Sequence, residues 1–332
     1  MRLIQLEKGD VRRVALVEEP KLRLLSGVAS IYQLARDAIA SAEKFSASVQ
    51  EKLSDETLDY EPVYQGSPEW RILPAIDHPS EPSRCLVSGT GLTHLRSARG
   101  RQMMHTSASE ELTDSMKMFR WGLEGGRPAP ECVGTAPEWF YKGSGNLLRA
   151  HNEPLEIPFY GEDGGEEAEV AGVYLISSEG KPYRVGFASG NEFSDHRFEK
   201  KNYLNLAGSK LRTCSLGPEL AIGAQFQSVG VKATIRRAGR ELWTKAFRSG
   251  EEEMCHSLQN IEHHHFKFEG HRRPGDVHVH YFGTDALSFS EGIELEDGDV
   301  MEISCEGFGR ALRNPLRKLA ASGKPVSVTA LE

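Results

Sequence analysis

One stretch of the chain decides the fold: residues 167–194 read EAEVAGVYLISSEGKPYRVGFASGNEFS. Val170 to Ser177 and Tyr183 to Phe187 are rich in β-branched and aromatic residues. The Ser178-Glu179-Gly180 segment between them is typical of a tight turn. The pattern therefore predicts two antiparallel strands joined as a hairpin.

Acidic residues flank this predicted hairpin at one end. Glu167 and Glu169 stand at the start of its first strand, where alternation puts both on one face with Cα atoms roughly 7 Å apart. Glu192 follows the second strand, which returns to the same end. Carboxylate oxygens suit Mg²⁺, which keeps other positions for water or substrate oxygens. Glu167, Glu169 and Glu192 are therefore candidate ligands of Mg²⁺, with Mn²⁺ or Ca²⁺ as alternatives. On spacing alone, a Glu-x-Glu strand is more often a solvated acidic face, and it is the surrounding sequence that favours the metal site.

Outside this stretch, the second half of the chain is mostly short strands separated by glycine turns. Val231 to Arg237 and Glu241 to Phe247 form a second predicted hairpin, and Val277 to Phe282 and Val300 to Cys305 are further strands. A helix is expected around Glu110 to Trp121, before Gly122. Many short strands with few helices favour a β-sandwich, barrel or roll over a doubly wound sheet. The predicted fold class is mainly β, of the α+β type.

The first part of the chain has a different pattern. Val11 to Val17 and Lys21 to Leu25 are predicted strands, and apolar residues recur at helical spacing from Ile31 to Leu53. A proline-rich stretch ending near residue 82 is typical of an ordered linker. The predicted domains are a small strand-helix domain with its linker at residues 1–80 and a catalytic β-roll domain at residues 81–332.

Composition narrows the class of protein. The 332 residues are 39% hydrophobic, enough for a sizeable core, and carry a formal charge of -8 without a basic patch. Nucleic-acid binding is therefore not expected. The apolar runs are too short to span a bilayer, and the first residues lack the apolar segment of a signal peptide. The five scattered cysteines contain no CxxC pair, which is typical of free thiols in a reducing cytoplasm.

Several further motifs occur in a fixed order around the acidic residues. They are Phe140-Tyr141-Lys142, Ser209-Lys210, Leu216-Gly217-Pro218, Pro274-Gly275-Asp276-Val277, Gly283-Thr284, Leu295-Glu296-Asp297-Gly298-Asp299-Val300 and Leu312-Arg313-Asn314-Pro315. With the Glu-x-Glu pair and Asn191-Glu192-Phe193-Ser194, the chain resembles the fumarylacetoacetate hydrolase superfamily over roughly residues 84–317. The resemblance implies a mixed β-sandwich roll and a Mg²⁺-dependent enzyme acting on a small 2-oxo acid. The family usually has Asp where Glu192 stands, so the longer side chain must adjust to ligate.

A short segment distinguishes branches of this superfamily. Its hydrolases carry Asn-Tyr-x-x-His, and Ser97 stands at the matching place for the histidine. Thr93, Arg96 and Ser97 instead resemble the Thr-Tyr-x-x-Ser segment of the 2-keto-3-deoxy-aldonate dehydratase branch. The resemblance favours a lyase that dehydrates a 2-keto-3-deoxy sugar acid, such as a 2-keto-3-deoxy-pentonate, in sugar-acid catabolism. The alternatives are hydrolysis of a C–C bond in an acylpyruvate or 2,4-dioxo acid, and a non-catalytic sugar-acid-binding protein.

Residue type and position in these motifs suggest roles for individual residues. Lys210 is the candidate general base, Lys142 would bind the carboxylate or enolate oxygen, and His94 or His151 would serve the leaving hydroxyl. In a hydrolase, water would be activated by His94, His105 or His151. The candidate substrate-binding residues are Arg96, Ser97, Asn191, Gly283 and Thr284.

Two further expectations concern assembly and a histidine-rich segment. A homodimer is expected, because related enzymes pair through the β-roll and exposed sheet edges need covering. The neighbouring histidines His263, His264 and His265 suggest zinc, but they could not all face one way on a strand. Of the nearby histidines, His278 and His280 could share a strand face, so they are the alternative zinc ligands.

Overall fold

The computed structural model describes residues 1–96, 98–99, 112–320 and 325–331. Its strands in these residues are β1 Arg2–Lys8, β2 Val11–Glu18, β3 Lys21–Leu25, β4 Leu53–Asp59, β5 Arg71–Ile72, β6 Cys85–Gly89, β7 Phe140–Ser144, β8 Leu148–Arg149, β9 Leu155–Ile157, β10 Ala168–Ile176, β11 Pro182–Asn191, β12 Cys214–Leu216, β13 Leu220–Ala221, β14 Val229–Arg237, β15 Arg240–Ser249, β16 Val277–Tyr281, β17 Val300–Cys305 and β18 Leu312–Lys318. The α-helices with both ends in these residues are α1 Ile31–Ser41, α2 Phe45–Glu51, α3 Tyr60–Tyr64, α4 Asp114–Gly125, α5 His196–Lys201, α6 Leu206–Lys210 and α7 Leu258–Phe266.

The strands form two sheets. The larger has the order β4-β3-β2-β1-β13-β11-β10-β16-β6-β7, with β5 paired to β1, β12 to β11 and β8 to β12. The smaller has the order β15-β14-β17-β18-β9. Both predicted hairpins, β10–β11 and β14–β15, are present as antiparallel pairs. The predicted mainly β, α+β class is confirmed.

Strand β10 lies at the centre of the larger sheet, between β11 and β16, and every one of its residues is buried. Its Val173 and Leu175 pack in one apolar cluster together with Val87 of β6. Val170 packs in a second cluster, together with Ile303 of the smaller sheet. Apolar layers therefore cover both faces of the strand. Glu167 and Glu169 lie at its N-terminal end, at the margin of this core.

The N-terminal strands extend the same large sheet, because β1 pairs with β13 as well as with β2. The sequence pattern missed β1, and the helix predicted from Ile31 to Leu53 is wrong. Two short helices replace it, because Ala42 after α1 has a left-handed φ of 56°. Leu53 instead begins β4 and pairs with Leu25. The domain boundary near residue 80 stays a prediction.

Two other features differ from the sequence-based expectation. The adjacent histidines His263, His264 and His265 lie on the helix α7, not on a strand. The proline-rich stretch contains α3 and β5, which pairs with β1. Among the described residues, no helix combines the length and apolarity that crossing a bilayer requires.

Candidate active site

Three buried carboxylates converge at the end of the β10–β11 hairpin. One oxygen each of Glu167, Glu169 and Glu192 lies within 4.8 Å of the other two. The backbone holds two of them together, because the Glu192 N–H donates to the Glu167 carbonyl at 3.0 Å. Asn191 Oδ1 accepts from the N–H groups of Glu167 (3.1 Å) and Phe193 (3.2 Å). The structure thus brings the predicted metal ligands together and gives Asn191 the role of bracing their backbone.

Two buried lysines contact this cluster. The Lys142 ammonium lies 2.9 Å from Glu192 Oε1 and also donates to the Phe193 carbonyl. The Lys210 ammonium donates to Glu167 Oε1 at 2.7 Å, Glu192 Oε2 at 2.6 Å and Ser194 Oγ at 2.9 Å. Both side chains are almost completely excluded from solvent. They are the cations that the sequence motifs placed at the site.

The local charge balance favours one divalent cation. Burial raises the pKa of Glu169 well above its usual value, and the neighbouring Glu192 and Glu167 raise it further. Burial, then the charge of Glu167, also raises the pKa of Glu192. Glu199, 3.6 Å from the Lys210 ammonium, adds a fourth buried carboxylate. If all four carboxylates are ionised, they exceed the two ammoniums by two negative charges, so a hard dication with oxygen ligands fits the donor set.

A turn at Gly283 supports the carboxylate of Glu169. The Gly283 N–H donates to Glu169 Oε2 at 2.6 Å, and Gly283 has a φ of +91°. A Cβ at this position would collide with Thr93 Oγ1. Thr93 itself donates to the Phe282 carbonyl at 2.8 Å, which ties the turn to the predicted branch-specific segment. A side chain at position 283 would therefore displace Glu169 or Thr93.

Glu138 is a further buried carboxylate, four residues before Lys142 in the chain, and the sequence analysis missed it. Its Oε1 accepts a hydrogen bond from the Tyr203 hydroxyl. A Cβ at Gly91 would collide with its Oε2, so the carboxylate lies directly against the backbone there. Glu138, Phe140 and Lys142 are spaced two residues apart, and the Lys210 ammonium lies 4.8 Å from the Phe140 ring. The two-residue period leading to Lys142 is the signal that could have found Glu138.

Other predicted residues have contacts outside the cluster. His94 is buried with its Nδ1 2.8 Å from Thr93 Oγ1, and burial lowers the pKa of His94 to about 4. The exposed Arg96 lies 3.6 Å from Asp285. Thr284 donates to the Ala286 carbonyl at 3.1 Å. Their catalytic or substrate-binding roles stay predictions, and Ser97 and His105 lie outside the described residues.

His151, the second histidine predicted for the leaving group, lies between α3 and β18. Its ring stacks on Tyr64 with centroids 4.3 Å apart, and Nε2 is 3.0 Å from the Tyr64 carbonyl. The Arg313 N–H donates to its Nδ1 at 3.2 Å. Both ring nitrogens therefore have backbone partners.

The buried histidines near α7 bond to one another. His265 Nε2 lies 2.9 Å from His278 Nδ1, and the Trp139 indole N–H donates to His265 Nδ1 at 3.2 Å. His280 contacts the hydroxyls of Ser88 and Thr90. Within the described ranges, the glutamate cluster is the one group of three or more His, Cys, Asp or Glu side chains arranged to share a metal ion. The zinc alternative for His278 and His280 has no support.

Solved structures show which known proteins share this architecture. A 2-keto-3-deoxy-D-arabinonate dehydratase in its apo form is 19% identical, with a TM-score of 0.71 over 96% of this chain and 99% of that chain. The same enzyme complexed with magnesium and 2,5-dioxopentanoate is 18% identical, with a TM-score of 0.71 over 96% of this chain and 100% of that chain. This chain has the dehydratase fold. The fold predicted from the superfamily resemblance is thereby confirmed.

Enzymes with another reaction share the same fold. A 5-carboxymethyl-2-hydroxymuconate delta-isomerase from Mycobacterium smegmatis is 17% identical, with a TM-score of 0.57 over 96% of this chain and 100% of that chain. No family model matches the chain, and a search of curated proteins finds no relative. Because one fold hosts several reactions, the chemistry must be argued from the side chains.

Proposed function

We propose that the protein is a Mg²⁺-dependent dehydratase, a lyase that removes water from a 2-keto-3-deoxy sugar acid such as a 2-keto-3-deoxy-pentonate. The observation that carries the proposal is the buried convergence of Glu167, Glu169 and Glu192 beside Lys142 and Lys210. A dehydratase of the same fold has been solved with magnesium and 2,5-dioxopentanoate, which is a 2-oxo acid semialdehyde. The corresponding product here would be a 2-oxo acid semialdehyde formed in sugar-acid catabolism.

The three glutamates would hold the ion, with Mn²⁺ or Ca²⁺ as alternatives to Mg²⁺. When bound, the ion supplies Lewis-acid polarisation of a chelating 2-oxo acid, which makes its C3 proton more acidic. With three protein ligands, the ion would have further coordination positions for substrate oxygens and water.

Dehydration requires one proton acceptor and one proton donor. Lys210 would take the proton from C3 as the neutral amine, and its contacts with Glu167, Glu192 and Ser194 would stabilise the ammonium that forms. Lys142 would balance the charge that develops on the substrate. The C4 hydroxyl leaves as water once it gains a proton, and proton shifts convert the resulting 3-ene with its C5 hydroxyl into the aldehyde.

Glu138 is our candidate for the proton donor to the C4 hydroxyl. It is buried, bonded to the Tyr203 hydroxyl and just ahead of β7, four residues before Lys142. His94 is less suitable because its contact is with Thr93, and burial keeps its pKa near 4 and the ring neutral. Of the groups that would activate water in a hydrolase, His151 is less suitable for a similar reason, because it is bonded to backbone groups on both ring nitrogens.

We also propose a homodimer. Strands β4 and β7 form the two ends of the large sheet, and unpaired edges favour association. Tyr141 on β7 is 40% exposed, which adds apolar area to that edge. Sedimentation at micromolar concentration tests the proposal, and a monomer would contradict it.

The reaction is tested by incubating the protein and Mg²⁺ with 2-keto-3-deoxy-pentonates of both C4 configurations. NMR should show loss of the C4 hydroxymethine signal and appearance of an aldehyde, and the Glu169→Gln variant should give neither. Cleavage of a 2,4-dioxo acid without dehydration would favour the hydrolase. Binding of sugar acid without turnover of either substrate would favour the non-catalytic alternative.

A further inference from the structure

His196, the first residue of α5, contacts one of the three clustered glutamates. Its Nε2 lies 3.0 Å from Glu167 Oε1, and both side chains are buried. We infer that His196 is a positioning residue, which fixes the orientation of the Glu167 carboxylate and thereby the affinity of the cluster for a divalent cation. This inference rests on the proposed cation site and extends it to a residue that would not touch the ion.

The imidazole is fitted closely into its place. A Cβ at Gly165 would collide with His196 Nδ1, so the absence of a side chain there makes room for the ring. The Phe289 ring packs on it with centroids 5.3 Å apart. Gly165 and Ser194 exchange two backbone hydrogen bonds, at 2.9 and 3.1 Å, immediately beside Glu167 and His196. The ring therefore cannot shift without moving the strand end that carries Glu167.

A second set of contacts fixes the backbone of His196. It is the first residue of α5, and Asp195 caps this helix by accepting from the Phe198 N–H at 3.0 Å. The other Asp195 oxygen accepts from Arg212 and from the Glu162 N–H, both at 2.9 Å. The cap thus ties α5 to the segment just before the metal-binding strand, and His196 is held at a set distance from Glu167.

Two donors meet at the same carboxylate oxygen. Glu167 Oε1 accepts from the Lys210 ammonium at 2.7 Å and faces His196 Nε2 at 3.0 Å. A carboxylate held at one oxygen from two directions loses its rotational freedom about the last bond. Groups that orient a metal ligand in this way typically change metal affinity 10–100-fold when they are removed. Lys210 alone would leave the rotation less restricted, so removal of His196 should weaken cation binding.

The inference is tested by Mn²⁺ binding, followed by EPR on chelator-treated full-length protein. His196→Leu should raise the dissociation constant about 10–100-fold. His196→Gln should stay close to the wild type, because its amide nitrogen can donate from nearly the position of Nε2. Gly165→Ala should weaken binding in the same direction by displacing the ring, and it provides an independent test if the Leu variant does not fold. Far-UV circular dichroism without metal checks folding.

The outcomes separate this inference from the proposed function. If the wild type binds no Mn²⁺, or Glu169→Gln binds it equally well, the cation site itself is wrong and the inference fails with it. If the wild type binds and Glu169→Gln does not, but His196→Leu binds like the wild type, only the role of His196 is refuted. Equal weakening in the Leu and Gln variants would indicate lost packing rather than a lost hydrogen bond, and would also refute it.

Discussion

The Glu169→Gln substitution tests the cluster both with and without a cation. Without one, burial and the neighbouring Glu192 and Glu167 raise the pKa of Glu169, so the folded chain holds this proton to a higher pH than the unfolded chain does. Because the pKa of Glu169 is higher in the folded state, its contribution to the free energy of unfolding is fully present below the unfolded pKa of about 4.3. This contribution is lost as pH rises through the folded-state pKa. Gln resembles the protonated carboxyl. The Mg²⁺-free variant should therefore equal or exceed the wild type in stability at pH 7.

With the cation, the order should reverse. At a Mg²⁺ concentration of about 100 times the dissociation constant, binding stabilises the folded wild type by about 2.7 kcal/mol. If the substitution weakens binding 100-fold, the same concentration gives about 0.4 kcal/mol. The unfolding entropy is about 2.1 cal/mol/K per residue over 332 residues. The melting temperature should therefore rise with Mg²⁺ by about 4 °C in the wild type and by less than about 1 °C in Glu169→Gln.

Thermal unfolding of chelator-treated protein during a Mg²⁺ titration measures both effects. Glu179→Gln, in the exposed turn between β10 and β11, is the matched control and should shift like the wild type. A Glu169→Gln variant that keeps the full Mg²⁺-dependent shift and full turnover would show that the ion binds elsewhere. The mechanism proposed from the cluster would then be wrong.

Three further substitutions test other contacts. Burial lowers the pKa of His280 to about 3, so the stabilisation associated with its neutral ring is present above the unfolded pKa of about 6.5 and is lost as pH falls. At pH 5 the loss of this stabilisation amounts to about 2 kcal/mol. His280→Asn should therefore reduce the difference between the unfolding free energies at pH 7.5 and pH 5 by about 2 kcal/mol. An unchanged difference would contradict this role of His280. Glu138→Gln should lower kcat about 10²–10⁴-fold with Mn²⁺ affinity unchanged, and wild-type turnover would remove Glu138 from the mechanism. Gly91→Ala places a methyl group against the Glu138 carboxylate and should lower kcat in the same way, without affecting the Mn²⁺ titration.

The carboxylate cluster could be predicted because its members lie on one hairpin. Alternation sets the faces of Glu167 and Glu169, and antiparallel pairing returns Glu192 to the same end. Glu138 and His196 have no such local constraint. Glu138 contacts Tyr203, 65 positions away, and His196 contacts Glu167, 29 positions away. Partners at such separations depend on how the segments pack, which one sequence does not show.

The errors in predicting the N-terminal helix and strands from the sequence have a local cause. Apolar spacing continues across the position where Ala42 turns left-handed, so a periodic pattern cannot locate the end of α1. The first strand mixes charged residues with Leu3, Ile4 and Leu6, which are all buried. Burial on both faces replaces the alternation that identifies a half-exposed strand. Its pairing with β13 could be found only from the assembled sheet.

The parallel pairing of β6 with β16 has a consequence for synthesis of the chain. Ser88 and His280, which bond across these strands, are 192 residues apart in sequence. At about 5–20 residues per second, a ribosome needs about 10–40 s to deliver β16 after β6 has emerged. During that interval β6 presents a strand edge with its partner still untranslated, and Gly283, which supports Glu169, follows later still. Nascent chains stalled before residue 277 should therefore aggregate and depend on chaperones, whereas chains released beyond the last strand of the large sheet can close it.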